Sequence, residues 1–419
     1  MFYNKDVMYM KKYVTNIKKN IYFDEQEIHT VDKADESIKV DFKKNYSFFS
    51  GMGGALTQAS TVNYLKLNSY NKNKLISLYF KDLKYKYIRL PIGSCDFSPC
   101  SYDYYKPFGF NINKDKEYII PLLDDIKEFN ISYIASPWSP PKIWKYPIIN
   151  RLRLLCYGRY AKYLMKYIKY YQDYGINIDF LSMQNEPYAY QRWESCLWSA
   201  WRQKLFIKKF LIPCLNDNNI HTSIMLHDHN KKNLLKKVKR VFFQDNKISS
   251  VGFHWYDGSY FDQLKEVHEK YPNLLLIESE MSCGFSPYDK IEWITDAEMY
   301  ANEIIGNINS GMNIFIDWNL LLDENGGPNH KNNFVKSPII RDDDEIIVTP
   351  IYYYLKHISL HQEQLVHQAL NDKLKVFATT KDDKKIITVL NNTSEDISFN
   401  IRYGVKDLIE KHSIITYVI

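Results

Sequence analysis

Two glutamates at the ends of apolar runs are the strongest candidates for chemistry in this sequence. Glu186 lies in Asn185-Glu186-Pro187 directly after one run, and Glu280 ends another run 94 residues later (280 − 186). A carboxylate at such a position is costly to bury unless it is paired or used. Two carboxylates across a pocket are the equipment of glycoside hydrolysis, and a separation of about 5 to 5.5 Å is typical of retaining enzymes. We predict that these two form a catalytic pair; in the alternative, Glu186 merely pairs with a lysine or arginine.

Glu278 competes with Glu280 for the role in the second run. Alternate residues of an extended strand share a face, so both side chains are expected to point the same way. Glu280 lies nearer the carboxyl end of the run, and we assign the role to it. Glu278 is expected one layer deeper, beside a basic group such as Arg89. The sequence alone does not forbid the exchange.

Three histidines raise a metal hypothesis. His227 and His229 flank Asp228 at the end of one run, and His254 lies toward the end of the next. Imidazole and carboxylate groups at strand ends are common ligands of zinc and related metals. Such sites need further ligands on other strands, and the first run offers only Gly, Met, Thr and Gln. The sequence therefore predicts no metal and no cofactor.

The elements that must position these residues alternate between short apolar runs and longer amphipathic stretches. This alternation is typical of β/α units. Polar residues gather toward the carboxyl ends of the runs, which is where the active site of a TIM barrel lies, and strands four and seven face each other across its mouth. We predict an α/β (β/α)8 barrel. Its eight runs begin at Ser47, Tyr85, Ile131, Phe180, Thr222, Ser250, Leu274 and Asn313.

The chain ends have a different pattern. Short β-like runs separated by charged or Asn-rich turns follow residue 348, and similar alternation occurs before residue 45. We predict a small all-β sandwich built from both termini, with residues 1–45 and 348–419 contributing to it and residues 46–347 forming the barrel. Between the barrel runs, Arg159–Asp173 has the spacing of an outer helix.

Composition excludes several classes of protein. The 419 residues include 55 Lys or Arg and 49 Asp or Glu, a net charge of +6 that is too weak to indicate nucleic-acid binding. Six cysteines without a CxxC pair suggest neither a zinc knuckle nor a disulfide scaffold. The first residues are charged rather than apolar, and no run is long and apolar enough to span a membrane. We expect a soluble, cytoplasmic protein with reduced thiols.

Seven strings resemble glycoside hydrolase family 30, the family of acid β-glucosidases and glucosylceramidases, in its order and spacing from about Phe49 onward. They are FSGMGGALTQAS, RLPIGSCDFS, ASPWSPPKIWK, QNEP, GFHWYDG, SEMSCG and DWNLLLDENGGPNHKNNFVKSPII. The resemblance implies a barrel with a β-sandwich from both chain ends. It also implies that Glu186 is the acid/base and Glu280 the nucleophile.

The same resemblance implies the sugar-binding residues. Asn185 would bond the sugar 2-hydroxyl, and Asp96 and Trp138 would hold the outer hydroxyls of glucose. Trp318 would form the floor under the sugar, and Asn333 would reach it from the loop after the eighth strand. His254 and Tyr256 would orient the nucleophile.

The function implied is that of a retaining, exo-acting β-glucosidase that cleaves a small β-glucoside or glycolipid. The alternatives are a β-xylosidase, β-fucosidase or β-1,6-glucanase of the same family, or a non-catalytic carbohydrate-binding barrel. The sequence leaves the oligomeric state and the physiological substrate open.

Overall fold

The computed structural model describes residues 10–28, 30–401 and 405–419. The first nine residues, whose charges contributed to the expected cytoplasmic location, lie outside the described residues. The chain divides into two compact units. The described residues up to 51, together with 288–313 and the described residues of 349–419, form the terminal unit, and residues 52–287 and 314–348 form the barrel unit.

A closed barrel of eight parallel strands confirms the predicted fold class. Each predicted run overlaps one barrel strand, and the barrel strands are neighbours in chain order, with the eighth next to the first. We number them barrel strands 1 to 8. They are Gly51–Ala55, Tyr87–Ile92, Ser132–Pro137, Ile178–Ser182, Ser223–Asn230, Ile248–His254, Leu275–Glu280 and Ile314–Asp317.

Helices connect the barrel strands. The long helix Tyr157–Asp173 confirms the predicted amphipathic stretch, and it buries Tyr160, Leu164 and Ile168 on one face. The other α-helices of this unit are Gln58–Leu65, Ser69–Ile76, Asn113–Tyr118, Ile120–Ile126, Ala200–Phe206, Ile212–Asn216, Leu234–Val241 and Phe261–Lys270. Among the described residues, no helix combines the length and apolar character needed to cross a bilayer.

Short strands decorate the loops of the barrel unit. The hairpin Tyr105–Lys106 with Gly109–Phe110 follows barrel strand 2, and the hairpin Lys145–Tyr146 with Arg151–Leu152 follows barrel strand 3. A three-stranded sheet follows barrel strand 8. Its strands are Leu322–Asp323, Ile339–Asp342 and Glu345–Val348.

The terminal unit contains a nine-stranded sheet made from both chain ends, as predicted. Strand Lys11–Asn16 pairs with Ser413–Val418, the last described strand. Among the described strand pairs of this sheet, only Ile397–Ile401 and Glu36–Phe49 run parallel. Across the sheet the strands are Ile21–Gln26, Lys11–Asn16, Ser413–Val418, Lys384–Asn391, Lys375–Lys381, Gln364–Leu370, Glu36–Phe49, Ile397–Ile401 and Val405–Ile409.

One hydrophobic core joins strands that are far apart in this sheet order. Val14 and Tyr417 belong to the same buried cluster as Phe399 and Ile409. Lys12 also forms a buried ion pair of 2.7 Å with Asp407, which lies on the opposite edge strand. These contacts require the sheet to fold over itself, which is the packing of a sandwich.

Two helices complete the terminal unit, Trp293–Asn309 and Pro350–Ser359. The second helix lies within residues 348–419, for which the sequence predicts a β-sandwich. Its sequence is rich in β-formers, but Pro350 at the first turn is compatible with a helix start, and tertiary packing buries Ile351, Leu355 and Ile358.

Barrel closure depends on a close approach at Gly53. A Cβ at this position would lie 1.8 Å from the carbonyl oxygen of Tyr87 on barrel strand 2. We predict that Gly53→Ala lowers the free energy of unfolding by about 1 to 3 kcal/mol or more, because the backbones must separate. Thermal and denaturant unfolding would measure this. Gly109→Ala is the matched control, because a Cβ there meets no atom within 4 Å; equal stability of the two variants would contradict the packing argument.

Candidate active site

Arg89 on barrel strand 2 is fully buried and holds three strand ends together. Its Nη1 donates to Glu280 Oε2 at 2.7 Å, and its Nη2 donates to Asn185 Oδ1 at 2.7 Å. Nη2 also lies 3.2 Å from Asp228 Oδ2. Burial alone would lower the pKa of Arg89, but the negative charges of Asp228 and Glu280 raise it. The guanidinium therefore stays charged and fixes both carboxylates.

Asp228 lies at an irregular point of barrel strand 5. Its φ is 51°, that of His227 is 74°, and the pairing register shifts between His227 and His229. The Asp228 carboxylate accepts hydrogen bonds from Ser136 and Ser279 as well as Arg89, and it lies 3.2 Å from His254 Nε2. Burial opposes ionisation, but Arg89 and His254 hold the pKa of Asp228 far below its usual range. The groups around the Asp228 carboxylate are hydrogen-bond donors and a cation. They suit a carboxylate that balances the charge of Arg89 better than the metal ligand suggested by the histidine pattern.

Glu186 follows barrel strand 4 with a left-handed backbone. Its φ is 48°, a strained value for a residue with a side chain, and its N–H donates to the Asp228 carbonyl oxygen at 2.9 Å. The carboxylate Oε1 lies 3.6 Å from His254 Nδ1 and 3.8 Å from His229 Nδ1. Gln191 Nε2 donates to Oε2 at 3.0 Å. The strained turn thus directs the carboxylate toward the histidines.

His254 links Glu186 to the Arg89 network from barrel strand 6. Burial alone would lower its pKa, but the charge of Glu280 and the contacts with Asp228 and Glu186 raise it to about 10. Burial would likewise raise the pKa of Glu186, but His254 and His229 lower it to about 2. His254 and Glu186 therefore titrate as a pair that holds one proton between them across neutral pH.

Glu280 ends barrel strand 7 at the opposite side of the mouth. Tyr256 donates its hydroxyl to Glu280 Oε1 at 3.1 Å, opposite the contact from Arg89 to Oε2. The expected alternation along this strand is interrupted, because Ser279 is an extra residue in the register with barrel strand 6. Ser279 and Glu280 consequently both contact the Asp228–Arg89 network. Arg89, which was expected beside Glu278, donates to Glu280, and Glu278 itself is buried.

A second polar group lies after barrel strands 2 and 8. Asn333 Nδ2 donates to Asp96 Oδ2 at 2.6 Å, and the Asp96 carbonyl oxygen lies 3.1 Å from His330 Nδ1. Burial raises the pKa of Asp96 to about 8 against the opposing effect of the Asn333 amide, and the charges of Glu280 and Glu186 add to the rise. Both glutamates therefore act electrostatically on the same buried carboxyl.

Two tryptophans form an apolar wall between these polar groups. Trp138 and Trp318 stack with ring centroids 5.4 Å apart at 20°, and the edge of Phe97 meets Trp318. The Arg89 guanidinium lies 4.9 Å from the Trp138 ring centroid and 5.5 Å from that of Trp318. Such rings provide the flat apolar surface that a sugar ring can cover.

The structure brings all the sequence-predicted site residues to one end of the barrel. They are Asp96, Trp138, Asn185, Glu186, His254, Tyr256, Glu280, Trp318 and Asn333. Their roles in chemistry stay predictions, whereas their proximity is observed. Sequence reasoning missed the central position of Arg89 and the charge-balancing role of Asp228. An arginine inside an apolar strand was the available signal for the first, because a buried guanidinium requires carboxylate partners.

A family model supplies the decisive comparison, since the glycosyl hydrolase family 30 TIM-barrel domain matches residues 49–361. The chain belongs to glycosyl hydrolase family 30. It is therefore a retaining glycoside hydrolase, and the resemblance in the sequence strings is confirmed.

Several glucosylceramidases are relatives of this chain. A Caenorhabditis elegans protein provisionally named glucosylceramidase 3 is 31% identical over 77% of this chain and 68% of its own length. The lysosomal acid glucosylceramidase of Mus musculus is 28% identical over 86% of this chain and 78% of its own. The crystal structure of SrfJ from Salmonella typhimurium has a TM-score of 0.90 and 27% identity, covering 98% of this chain and 99% of that one.

A weaker relative has a different specificity in its name. The endo-1,6-β-D-glucanase BGN16.3 of Trichoderma harzianum is 24% identical over 53% of this chain and 52% of its own length. The comparisons thus agree on glycoside hydrolysis and leave the preferred glycoside to be argued from the site.

The Arg89 contacts generate a test of the site. We predict that Arg89→Lys lowers kcat/KM by about 10²-fold, because one ammonium group cannot hold the Glu280, Asn185 and Asp228 oxygens together and small misplacements are costly. Steady-state hydrolysis of an aryl glycoside would measure it, with unfolding midpoints to check the fold. Arg202→Lys is the control, since Arg202 donates to the backbone oxygen of Leu152. Activity within twofold of wild type in Arg89→Lys would refute a positioning role.

Proposed function

We propose that this family 30 enzyme is an exo-acting, glucosylceramidase-like β-glucosidase that removes terminal β-glucose by double displacement. The observation that carries the proposal is the pair Glu186 and Glu280, which follow barrel strands 4 and 7 and border one buried network through His254 and Arg89. That arrangement supports an acid/base on one side of a sugar and a nucleophile on the other.

The first half of the reaction uses both carboxyl groups at once. Glu280, oriented by Arg89 and Tyr256, attacks the anomeric carbon as Glu186 protonates the leaving oxygen. The proton comes from the His254–Glu186 pair, which holds one at neutral pH. In this proposal Asn185, held by the hydrogen bond from Arg89, bonds the sugar 2-hydroxyl.

The second half needs Glu186 to act as a base. Formation of the glycosyl ester removes the negative charge of Glu280, and that charge is one of the causes that raise the pKa of His254. The pKa of the His254–Glu186 pair therefore falls. The pair stays unprotonated in the glycosyl-enzyme intermediate and can accept a proton from the attacking water. Hydrolysis of the ester restores the negative charge of Glu280, and the proton taken from water stays on the His254–Glu186 pair. The anomeric configuration is retained.

Recognition of glucose rests on the groups beside the catalytic pair. The linked polar ends of Asp96 and Asn333 offer an acceptor and a donor for the outer hydroxyls. Because its pKa is about 8, the Asp96 carboxyl is largely protonated at neutral pH and can also donate a hydrogen bond. Trp318 and Trp138 supply the apolar surface under the ring.

An endo-acting 1,6-glucanase is the second candidate, favoured by the fungal relative. A cavity of about 570 Å³ lies next to Gln191, the residue that donates to Glu186, and its lining includes Ser94, Glu194 and Lys145. In the exo-acting proposal this polar space receives the leaving group. A polymer-cleaving enzyme would use it for further sugar units.

Substrate specificity and the nucleophile can be tested together. We expect aryl β-glucoside to be cleaved at least tenfold faster than xyloside or fucoside, and 1,6-glucan to release glucose alone. A 2-deoxy-2-fluoro-glucoside with an activated leaving group should label the peptide that contains Glu280, as seen by mass spectrometry. Glu280→Gln should abolish labelling. Release of oligosaccharides from glucan would reject exo action, and label on Glu278 would reject the assigned nucleophile.

The pH profile tests the His254–Glu186 pair. In wild type the pair keeps its proton until the pH approaches the raised pKa of about 10, so the alkaline fall in kcat/KM should begin only near that pH. In His254→Gln, Glu186 must hold the proton alone, and the alkaline limb should move to lower pH by one unit or more. His268→Gln, on helix Phe261–Lys270, is the control. An unmoved limb in His254→Gln would show that the pair does not store the proton.

A further inference from the structure

Six large apolar side chains are exposed on the loops that follow barrel strands 2 and 3. Phe108 is 104% exposed, Leu155 is 96% and Ile148 is 91%, so all three project almost entirely into solvent. We call the set the apolar rim, and its members are Phe108, Ile143, Ile148, Ile149, Leu154 and Leu155. Exposed apolar residues that occur together, rather than singly, mark interaction sites.

The apolar rim is one surface because its two hairpins pack on each other. Tyr105 of the first hairpin meets Trp144, beside the second, with ring centroids 5.1 Å apart. Arg153 donates its guanidinium to the Ile143 carbonyl oxygen, and its N–H donates to that of Trp144. These contacts bring the start and end of the segment 143–155 together, so Ile143 and Leu154 flank the same base while Ile148 and Ile149 form its tip.

Basic residues lie beside the apolar rim, and Lys106, Arg159, Lys162 and Lys166 line one cavity with Phe108. Residues 129–172 contain eight Lys or Arg residues and no Asp or Glu, whereas the whole chain has a net charge of only +6. This one segment therefore holds the entire positive excess of the protein. Within it Lys142, Arg159, Lys162 and Lys166 are exposed, and Lys106 is exposed on the first hairpin.

We propose that the apolar rim and its basic border form a docking surface for an anionic lipid bilayer. Apolar tips beside lysine and arginine match the two parts of such a surface, an acyl region and negative headgroups. A second copy of this chain is a poorer occupant, because a two-fold contact would set the same positive segments against each other. The inference does not depend on which glycoside the enzyme prefers.

Docking would also place the substrate path beside the lipid. Lys142, Lys145, Tyr146 and Pro147, from the segment that carries the rim, line the 570 Å³ cavity next to Gln191. The cavity and the rim therefore share a wall. Bound to a bilayer, the enzyme would have that wall next to the headgroups.

Vesicle binding tests the proposal without any substrate. Wild-type protein should co-sediment with vesicles of phosphatidylcholine mixed with phosphatidylglycerol, and only weakly with phosphatidylcholine alone. Added salt should reduce the binding. Equal binding to both vesicles, or binding to neither, would overturn the proposal.

Two sets of variants separate the apolar and the charged contributions. Phe108→Ser, Ile148→Ser and Leu155→Ser combined should weaken binding by more than about tenfold, because three exposed side chains lose their insertion. Each of Lys106→Glu, Lys162→Glu and Lys166→Glu should weaken it by about fivefold or more. The matched control combines Tyr70→Ser, Ile291→Ser and Leu408→Ser, which are exposed elsewhere, and should bind as wild type does.

Two further measurements keep the result specific. Hydrolysis of a soluble aryl glycoside should be unchanged in every variant, which shows that the fold and the active site are intact. Light scattering after size exclusion reports self-association. If the wild type is a dimer that the rim variants convert to a monomer, the rim is an interface between copies and the bilayer proposal fails. If the proposed glucosidase specificity fails while vesicle binding holds, the docking inference stands.

Discussion

The buried guanidinium of Arg89 organises the barrel mouth. The Arg89 guanidinium contacts oxygens from Glu280, Asn185 and Asp228, and both tryptophan rings lie within 6 Å of it. A charge so deep is stable only because carboxylates compensate it, and removing one partner of such a pair typically costs about 3 to 5 kcal/mol. The position of Glu280 therefore depends directly on Arg89, and that of Glu186 depends on it through Asn185 and Asp228.

Much of the fold could be predicted because its signals are local. Each barrel strand is an apolar run with polar residues at its carboxyl end, and the edge that those ends share follows from parallel topology. The same reasoning located Glu186 and Glu280, since a glutamate after such a run has few structural reasons to be there. Beyond strand placement, the sugar-binding set came from seven family-like strings, which carry information that periodicity does not.

The features that sequence reasoning missed are set by tertiary contacts. Strict alternation fails at Ser279, where an extra residue turns two consecutive side chains toward the network. Asp228 raised a metal hypothesis because its neighbours in the sequence are histidines. Its hydrogen bonds with Arg89 and Ser136 depend on the folded structure and are not visible in the sequence. The region predicted as a β-sandwich from residue 348 onward begins instead with the helix Pro350–Ser359, whose apolar face is buried by tertiary packing.

The pairing of the first described strand with the last has a consequence for biosynthesis. Strand Lys11–Asn16 lies between Ile21–Gln26 and Ser413–Val418, so one of its two neighbours is translated only after the whole barrel. On the ribosome, the segments of the barrel emerge long before this neighbour exists. The hairpin of Lys11–Asn16 and Ile21–Gln26 therefore has one unpaired edge while the barrel is being translated. The terminal sheet is therefore completed only after the barrel strands have been translated.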